Sequence, residues 1–236
     1  MPNKRVLVGY GIDVDAVAHW INTGGGSAAD PTNVSRGVYG AAVGVDRLLK
    51  LFDKNGIKAT WFVPGHTIES FPEQMAKVRD AGHEIGLHGY THEAPGQLTA
   101  QQQYDTLTKS IDILTKFTGK KPLGYTAPMW FTKPMTTLRA SQVVEIPSNW
   151  HLDDWPPLQA KPGSPAHGFV DTSVVEKLWM EQFDFAYREH DVFLFPMSIH
   201  PQVSGKPQNI LMHERIIDYI NRHEGVELVT FGQMAT

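Results

Sequence analysis

The chain has 236 residues, no cysteine, and 21 lysine and arginine residues against 25 acidic residues, giving a formal net charge of −4. A chain of this length can bury a large core unaided, and the absence of cysteine excludes disulfide scaffolds and thiolate metal sites. The charge argues against nucleic acid and anionic membranes as partners, and the N-terminal apolar run is too short for a signal peptide or a membrane span, so we expect a cytoplasmic protein.

Apolar runs alternate with helical patterns along the chain, which favours an α/β fold built on a parallel sheet. Strands are predicted at residues 6–8, 59–63, 84–87, 123–126, 143–146, 192–199 and 226–231. Helices are predicted at residues 45–55, from Pro72, after a capping-box pair at Thr99 and Gln102, at 171–190 and at 211–223. The run at 192–199 is almost entirely apolar, which predicts a central strand. Without an internal repeat or a linker, residues 1–236 are predicted to form a single domain.

Two carboxylates follow the first predicted strand. Asp13 and Asp15 stand two residues apart, directly after an apolar run. Close carboxylates repel each other, so such a pair is typical of a site where a cation lies between them or one of them holds a proton. A metal ligand beside a general base meets these conditions, although a solvated turn would carry the same pair.

Two histidines four residues apart follow the third predicted strand. If the chain turns helically there, the rings of His88 and His92 lie on the same side. This spacing alone is a weak signal. Combined with the aspartate pair, it gives the imidazole and carboxylate ligands that hold Zn²⁺ while leaving a position open for water. The sequence therefore predicts a divalent metal ion as cofactor, with zinc as the first choice.

His200 directly follows the late strand predicted at 192–199. A single histidine at a strand end is more often structural, but this is the third strand end to finish in a group that titrates or binds metal. Its ordinary pKa suits general acid or base work near neutrality. Aromatic and acidic residues follow two other predicted strands, where a sugar ring or a flat heterocycle would rest against them. The predicted substrate-binding residues are Met129, Trp130, Trp150, Asp153, Asp154 and Trp155.

The other histidines stand outside these motifs. We expect His83 to be structural and His151 to be a pocket residue. Surface or capping positions are expected for the remaining six, which are His19, His66, His167, His190, His213 and His223.

The sequence resembles the polysaccharide deacetylase superfamily, the NodB-homology domain of carbohydrate esterase family four. Within it, the chain is most similar to the branch of peptidoglycan-deacetylase-like proteins, allantoinase-like enzymes and cyclic imide hydrolases. Three motifs carry the resemblance, at residues 11–15, 82–92 and 198–200. The family fold implied is a distorted (β/α) barrel, here of about seven strands.

The resemblance also implies roles for the residues at the strand ends. Asp13 would be the base that activates water, and His200 the acid that protonates the leaving nitrogen. The implied metal ligands are Asp15, His88 and His92. The oxyanion would lie on the metal and on a backbone N–H near Met129.

The chain departs from the family pattern in two places. Thr126-Ala127-Pro128 stands where the third motif commonly has an arginine before the proline, so the proton affinity of Asp13 must be set by the metal and by Asp153 or Asp154. The stretch 131–142 is too short for the helix and strand that relatives usually carry there. Either the barrel is incomplete, or a partner chain completes it, or a segment is missing. A homo-oligomer therefore stays open.

The resemblance implies a metal-dependent hydrolase of carbon–nitrogen bonds other than peptide bonds, acting on an oligosaccharide or a small-molecule amide. The first hypothesis is removal of N-acetyl groups from an amino-sugar polymer. The second is opening of a cyclic ureide or imide, which the missing arginine and the missing secretion signal favour. The third is a non-catalytic binding protein of the same fold. The intact set of acidic and imidazole groups argues against this third hypothesis, because a pure binder needs no water activator.

Overall fold

The computed structural model describes residues 4–22, 30–130, 143–159 and 170–236. Its strands are β1 (Arg5–Asp13), β2 (Thr60–Val63), β3 (Glu84–Leu87), β4 (Val192–Ile199) and β5 (Val226–Leu228). Its α-helices are α1 (Ala18–Asn22), α2 (Pro31–Tyr39), α3 (Val45–Lys54), α4 (Gly65–Ser70), α5 (Pro72–Asp80), α6 (Ala100–Thr118), α7 (Trp155–Leu158), α8 (Thr172–Glu189), α9 (Pro201–Ser204), α10 (Pro207–Ile220) and α11 (Phe231–Met234). Shorter turns are the π-helical Gly40–Gly44 and the 3₁₀ segments Pro95–Gln97, Pro128–Trp130 and Trp150–Leu152.

The sheet is parallel, and its order is β3-β2-β1-β4, with β5 also paired to β1. This confirms the predicted α/β architecture of parallel strands connected by helices. Parallel strands end at the same edge of a sheet, so the residues that follow β1, β3 and β4 meet at one edge. Residues 6–13 of β1 are all buried, as expected of a strand that is covered on both faces.

Helices cover the sheet through apolar side chains at helical spacing. From α3, Phe52 packs against Tyr10 of β1 and Trp61 of β2, with ring centroids 5.3 and 6.2 Å apart. The capping box of Thr99 and Gln102 forms as predicted, and α6 ends at Gly119 with φ of 75°. Capping chemistry that can be recognised in the sequence therefore defines both ends of this helix.

The strand count of about seven differs from the structure, which has five strands among the described residues. Residues 123–126 contribute a single bridge, between Tyr125 and Leu87. Residues 143–146 lie in no strand, and Val143 is 81% exposed. An apolar run forms a strand only where a partner strand lies beside it, and the run itself does not specify that partner.

The prediction of a central strand at 192–199 is wrong within the described sheet. β4 stands at one end of the strand order, and Val192 is 67% exposed. Among the described strands, β3 and β4 are not paired with each other, so barrel closure stays a prediction. The short stretch 131–142 lies outside the described residues.

Two predicted boundaries near the C-terminus also shift. Helix α10 begins at Pro207 rather than at 211, because proline suits the first helical turn. β5 ends at Leu228 rather than at 231, since Thr230 and Gln233 form a capping box that begins α11. Among the helices of the described ranges, none has the length and apolar character that crossing a membrane requires.

Candidate active site

The end of β1 brings two buried carboxylates to the sheet edge. Asp13 is the last residue of β1, and Asp15 lies in the turn that follows. Thr67 Oγ donates a hydrogen bond to the Asp15 carbonyl oxygen at 3.1 Å. Ala16 has φ of 48°, and a Cβ at Gly37 of α2 would lie only 2.3 Å from the Ala16 carbonyl oxygen. This close approach, possible only for glycine, packs α2 directly against the turn that carries Asp15.

The loop after β3 brings His88 and His92 to the same edge. Their Nε2 atoms lie 3.4 and 3.7 Å from Asp15 Oδ1. The predicted proximity is therefore present, but the helical turn expected to produce it is not. Instead, Gly89 and His92 take positive φ angles of 72° and 62°. A non-glycine residue in this conformation is uncommon and typical of functional sites.

The Glu93 carboxylate stabilises this loop. It accepts hydrogen bonds from the backbone N–H groups of Tyr90 and Thr91, at 2.9 and 2.8 Å, and from the Thr91 hydroxyl at 2.8 Å. These bonds satisfy backbone donors that the open loop would otherwise leave unpaired. The positions of the two histidine rings are therefore supported by local hydrogen bonding rather than by helical spacing.

The other ring nitrogens of these histidines also have partners. His88 Nδ1 lies 2.7 Å from the Thr126 carbonyl oxygen, which can only accept, so Nδ1 carries a hydrogen and Nε2 is the nitrogen that faces Asp15. His92 Nδ1 lies 3.2 Å from His19 Nδ1. Carbonyl or side-chain contacts of this kind fix the tautomer of metal-binding histidines in many proteins.

His19 was expected at a surface or capping position, and that prediction is wrong. It is half-buried on α1, and its ring centroid lies 4.6 Å from that of His92. Asp15, His19 and His92 each offer a ligand atom, and these atoms lie within 4.8 Å of one another. The signal was present in the sequence, because Asp15 and His19 are four residues apart, the same spacing that drew attention to the pair after β3.

The chemistry of this cluster fits a divalent cation. Among the described residues, no donor reaches the buried Asp15 Oδ1 in hydrogen-bond geometry. A buried carboxylate oxygen without a hydrogen bond is costly unless a cation compensates it. The neighbouring imidazoles supply nitrogen ligands, and nitrogen with carboxylate oxygen is a donor set that zinc accepts.

Burial and charge shift the pKa values at this edge. Burial raises the pKa of Asp13, and the negative charges of Asp15 and Asp154 add to this, while His88 and His200 act in the opposite direction. For Asp15, burial alone would raise the pKa, but the nearby histidines hold it well below its usual range. The two carboxylates therefore differ, with Asp13 the one that takes a proton more readily.

His200 follows β4 and faces the same edge. Its Nε2 lies 3.9 Å from Asp13 Oδ2 and 4.0 Å from Asp15 Oδ2. On its other side, Nδ1 lies 2.7 Å from Asp154 Oδ1, and its backbone N–H donates to Asp154 Oδ2 at 2.9 Å. Burial alone would lower the pKa of His200, but Asp154 raises it well above the usual value, with Asp153 and Asp15 adding to the effect.

The two acidic residues predicted to bind substrate lie beside His200. Asp153 pairs with Ser198 of β4 in an isolated bridge, and its carboxylate accepts from the Trp155 backbone N–H at 2.6 Å. Burial, with the nearby Asp154 charge, raises the pKa of Asp153 to about 7, although His200 opposes the shift. Asp154 is fully buried behind His200. A direct substrate contact therefore fits Asp154 poorly, because its side chain has no exposed surface.

Aromatic rings form one wall of the site. The Trp155 ring centroid lies 4.9 Å from that of His200 and 5.1 Å from that of His19, and the ring stacks on Trp20 at 5.8 Å. The other predicted aromatic and apolar contacts are more open, with Met129 51% and Trp150 56% exposed. The Trp130 side chain lies outside the described part of the chain.

Two further histidines have defined environments. His83 Nδ1 accepts the Ala59 backbone N–H at 3.1 Å, in line with the predicted structural role. His213 was expected at a surface or capping position, but it is fully buried in α10. Its ring contacts Ser204 and Tyr10, which belong to other elements, so only the tertiary structure brings this residue near the site.

Comparison with known proteins gives consistent matches. The polysaccharide deacetylase family model matches residues 39–142. A peptidoglycan deacetylase from Helicobacter pylori is 43% identical to this chain over 281 residues, covering 98% of this chain and 96% of the relative. Because that alignment is longer than the 236 residues of this chain, the relative carries residues that this chain lacks.

Solved structures give the same result for the fold. A crystal structure of a polysaccharide deacetylase-type protein from Mycobacterium smegmatis superposes with a TM-score of 0.89 at 28% identity, covering 99% of this chain and 90% of the other. An allantoinase crystal structure superposes with a TM-score of 0.73 at 20% identity, covering 98% and 89%. The second likeness shows a shared fold alone.

Proposed function

The chain belongs to the polysaccharide deacetylase family and is a hydrolase of carbon–nitrogen bonds other than peptide bonds, and we propose that it removes N-acetyl groups from an amino-sugar polymer of the peptidoglycan type. The observation that carries the proposal is the meeting of two buried aspartates and three histidines at one sheet edge. The identity to the H. pylori peptidoglycan deacetylase supports the choice of polymer. We further propose that residues 1–236 form one catalytic domain and that the reaction requires a divalent metal ion, with zinc as the first choice.

Asp15, His88 and His92 would hold the metal. Their facing oxygen and nitrogen atoms, together with the unbonded Asp15 Oδ1, support this assignment. Such an ion supplies Lewis acidity, which lowers the pKa of water and polarises a carbonyl oxygen. The low pKa of Asp15 suits a ligand, because this carboxylate stays ionised.

Asp13 would be the general base. Its raised pKa suits a group that must accept a proton, and its Oδ2 atom faces both His88 and His200 at 3.9 Å. In the reaction, Asp13 takes one proton from water as the water oxygen forms a bond to the carbonyl carbon of the acetamide. The backbone N–H near Met129, a residue at φ of 66°, is the proposed donor to the developing oxyanion.

His200 would be the general acid. Its Nδ1–H donates to Asp154, so the proton available to substrate is on Nε2, which points toward Asp13 and Asp15. His200 gives this proton to the nitrogen as the carbon–nitrogen bond breaks, so the products are acetate and an amino sugar. The raised pKa of His200 supports this order, since the ring carries its proton before the reaction begins.

His19 would be a positioning residue for His92. In the proposed site, His92 binds metal through Nε2, so its Nδ1 carries a hydrogen and His19 Nδ1 accepts it at 3.2 Å. That hydrogen bond requires a neutral His19 with its own hydrogen on Nε2. His19 thereby stabilises the His92 tautomer that presents a lone pair to the metal.

The substrate would lie against an aromatic wall. Trp155 contacts both His19 and His200, so a sugar ring placed against it would lie beside the acid and beside the histidine that positions His92. Met129, Trp130 and Trp150 are proposed as further substrate contacts, and Asp153 as a hydrogen-bonding group beside the acid.

One observation favours a second candidate, the opening of a cyclic ureide or imide. Thr126 stands where the family commonly has an arginine, and the groups that lower the pKa of Asp13 are His88 and His200. A base without an arginine partner resembles the allantoinase-like branch. The same groups would then attack a ring carbonyl, and His200 would protonate the ring nitrogen that leaves.

A substrate panel tests the two candidates directly. The purified chain, loaded with Zn²⁺, is incubated with N-acetylated chitooligosaccharides and peptidoglycan fragments, and with allantoin, hydantoin and succinimide. Acetate release from the sugars supports the proposal. Ring opening without acetate release supports the second candidate, and inactivity on every substrate contradicts both.

A further inference from the structure

The hydrogen bonds around the acid continue past Asp154 into the core. Ser204 Oγ lies 2.5 Å from Asp154 Oδ2 and 2.8 Å from His213 Nε2, and His213 Nδ1 lies 3.4 Å from Tyr10 Oη. Asp154, Ser204, His213 and Tyr10 are all completely buried. We call Ser204, His213 and Tyr10 the buried relay. The relay touches neither the proposed metal ligands nor Asp13 through any of these bonds.

The chemistry of the four groups fixes the direction of each bond. The Asp154 carboxylate only accepts, so Ser204 gives it its single hydroxyl hydrogen. The Ser204 oxygen must then accept from His213, which places the His213 hydrogen on Nε2. His213 Nδ1 is left to accept from the Tyr10 hydroxyl. Every donor in the relay therefore points toward Asp154.

Burial keeps the relay neutral. It lowers the pKa of His213 to about 4, although the Asp154 charge opposes the shift, and it raises the pKa of Tyr10. At neutral pH, His213 is therefore an uncharged ring with a single hydrogen, as the bond directions require. A neutral histidine with both nitrogens engaged holds one tautomer, and its orientation is fixed at both ends.

Helix α9 holds Ser204 close to the acid. His200 is the N-cap residue of this short helix, and the Ser204 backbone N–H donates to the His200 carbonyl oxygen at 2.7 Å. Behind it, a Cβ at Gly205 would lie 2.4 Å from the Gly44 Cα, so the backbones of these segments are in close contact. Ser204 therefore has little freedom to move relative to His200 and Asp154.

We propose that Ser204 and His213 are positioning residues for the general acid. By fixing the Asp154 carboxylate, they hold the His200 ring so that its Nε2–H points at the leaving nitrogen. This inference rests on the proposed function, because it assigns the relay to the protonation of the leaving nitrogen in that reaction. Losing the relay should slow delivery of the proton to the leaving group while leaving metal binding and water attack unchanged.

Ser204→Ala tests the proposal with two acetyl substrates. An N-acetylated sugar needs a proton on its leaving nitrogen, whereas 4-nitrophenyl acetate has a leaving group that departs unprotonated. We expect kcat on the N-acetylated sugar to fall about tenfold or more, with kcat on the aryl acetate within about twofold of wild type. The matched control is Ser110→Ala, which removes a fully buried hydroxyl that donates to the Thr106 carbonyl in α6, and which should change neither rate.

His213 provides a second pair of variants in case Ser204→Ala does not fold. His213→Gln keeps an amide donor toward Ser204 and should retain more of the amide turnover than His213→Leu, which has no donor. Equal turnover by the two folded variants, or equal losses on the amide and the aryl acetate, would overturn the inference. If wild type turns over no amide, the proposed function fails and this inference fails with it.

NMR of the histidine rings tests the relay without any turnover. In protein carrying ¹⁵N-labelled histidine, the two-bond nitrogen–proton couplings identify the tautomer of each ring. We expect His213 with its hydrogen on Nε2 in wild type, and a signal that changes in Ser204→Ala but not in Ser110→Ala. A His213 ring with its hydrogen on Nδ1, or a His213 signal that is unchanged in Ser204→Ala, contradicts the relay even if deacetylation is observed.

Discussion

The two halves of the site are completed in different ways. In the metal half, Asp15, His88 and His92 face one another at 3.4 and 3.7 Å, and the buried Asp15 Oδ1 has no hydrogen bond from the described residues. In the acid half, His200 and Asp154 are joined at 2.7 Å, and Asp154 accepts further bonds at 2.9 and 2.5 Å. The first half leaves a buried carboxylate oxygen without a hydrogen bond from the described residues, whereas in the second half the protein itself supplies the partners.

The backbones of the two halves also differ. Ala16 and His92 in the metal half have positive φ angles of 48° and 62°. His200 in the acid half follows directly from β4 and begins α9, with an ordinary extended conformation. Strained positions persist only where their surroundings hold them, and in the metal half the Glu93 carboxylate supplies such support to the loop that carries His88 and His92. The variants below test this difference.

The largest expected effect is in the metal half. His88→Ala removes a nitrogen ligand, so it should abolish metal binding and lower deacetylation by about 1,000-fold or more. Chelation of the wild type should give the same loss, and added Zn²⁺ should reverse it. Elemental analysis and acetate release measure both. The control is His190→Ala, an exposed residue at the end of α8. Retention of metal by His88→Ala would contradict the ligand assignment.

A change in the acid half should lower amide turnover without releasing the metal. Asp154→Asn replaces the acceptor for His200 Nδ1–H with a group that can donate, which favours the wrong tautomer. We expect amide turnover to fall about 100-fold or more, with metal content unchanged and aryl acetate hydrolysis largely kept. Parallel loss of both hydrolytic rates would show that Asp154 does more than orient the acid.

His19 should affect metal affinity rather than chemistry. His19→Ala removes the acceptor for His92 Nδ1, and we expect the metal dissociation constant to rise about tenfold or more, with kcat at saturating metal near wild type. His19→Asn offers a carbonyl oxygen in place of the ring nitrogen and should recover part of the affinity. Calorimetric titration of chelator-treated protein with Zn²⁺ gives the constants. Unchanged affinity in His19→Ala would remove His19 from the metal half.

The smallest expected effect is on stability, through the protonation of His213 at acidic pH. His213 contacts Ser204, Tyr10 and Trp179, and its pKa falls from 6.5 to about 4 because it is buried, with the Asp154 charge opposing the shift. The unfolded chain binds this proton below about pH 6.5, whereas the folded chain does so only near pH 4. As the pH falls from about 6.5 to about 4, the free energy of unfolding should therefore decrease, by up to about 3 kcal/mol from this residue.

Urea unfolding of wild type and His213→Gln at pH 7 and pH 4.5 measures that contribution. The loss of stability on acidification should be smaller in the variant, because glutamine does not titrate. If both proteins lose the same free energy of unfolding, His213 is not held neutral in the fold.

The sequence was sufficient to predict that the residues following β1, β3 and β4 meet. Parallel strands end at one edge, so the acidic and imidazole residues after β1, β3 and β4 were expected to lie together. In the structure, His200 Nε2 lies 3.9 Å from Asp13 Oδ2 and 4.0 Å from Asp15 Oδ2. The backbone path to His92 differs from the prediction, because His92 takes a positive φ and lies in no helical turn. Residue spacing predicts that two rings are near each other, but it does not determine the backbone path between them.

The supporting residues could not be predicted in the same way. His19 contacts a residue 73 positions away, and His213 contacts Tyr10 across 203 positions. The four-residue spacing of Asp15 and His19 could have indicated that His19 lies near the site. The contact of His213 with Tyr10 depends instead on how α10 packs on the sheet, which no local pattern encodes. The apolar run at 143–146 shows the same limit, because it would form a strand only beside a partner. Side chains that do the chemistry stood in motifs, whereas those that hold them in place did not.

The division between metal and proton transfer is tested most directly with Asp13→Asn. Asparagine has nearly the shape of aspartate but cannot take a proton from water at neutral pH. Metal content and acetate release are measured on the same preparations of wild type and variant. We expect equal amounts of divalent ion in the two proteins, with acetate release lost in the variant. A variant that keeps its metal and releases acetate at the wild-type rate would contradict the assignment of Asp13 as the base.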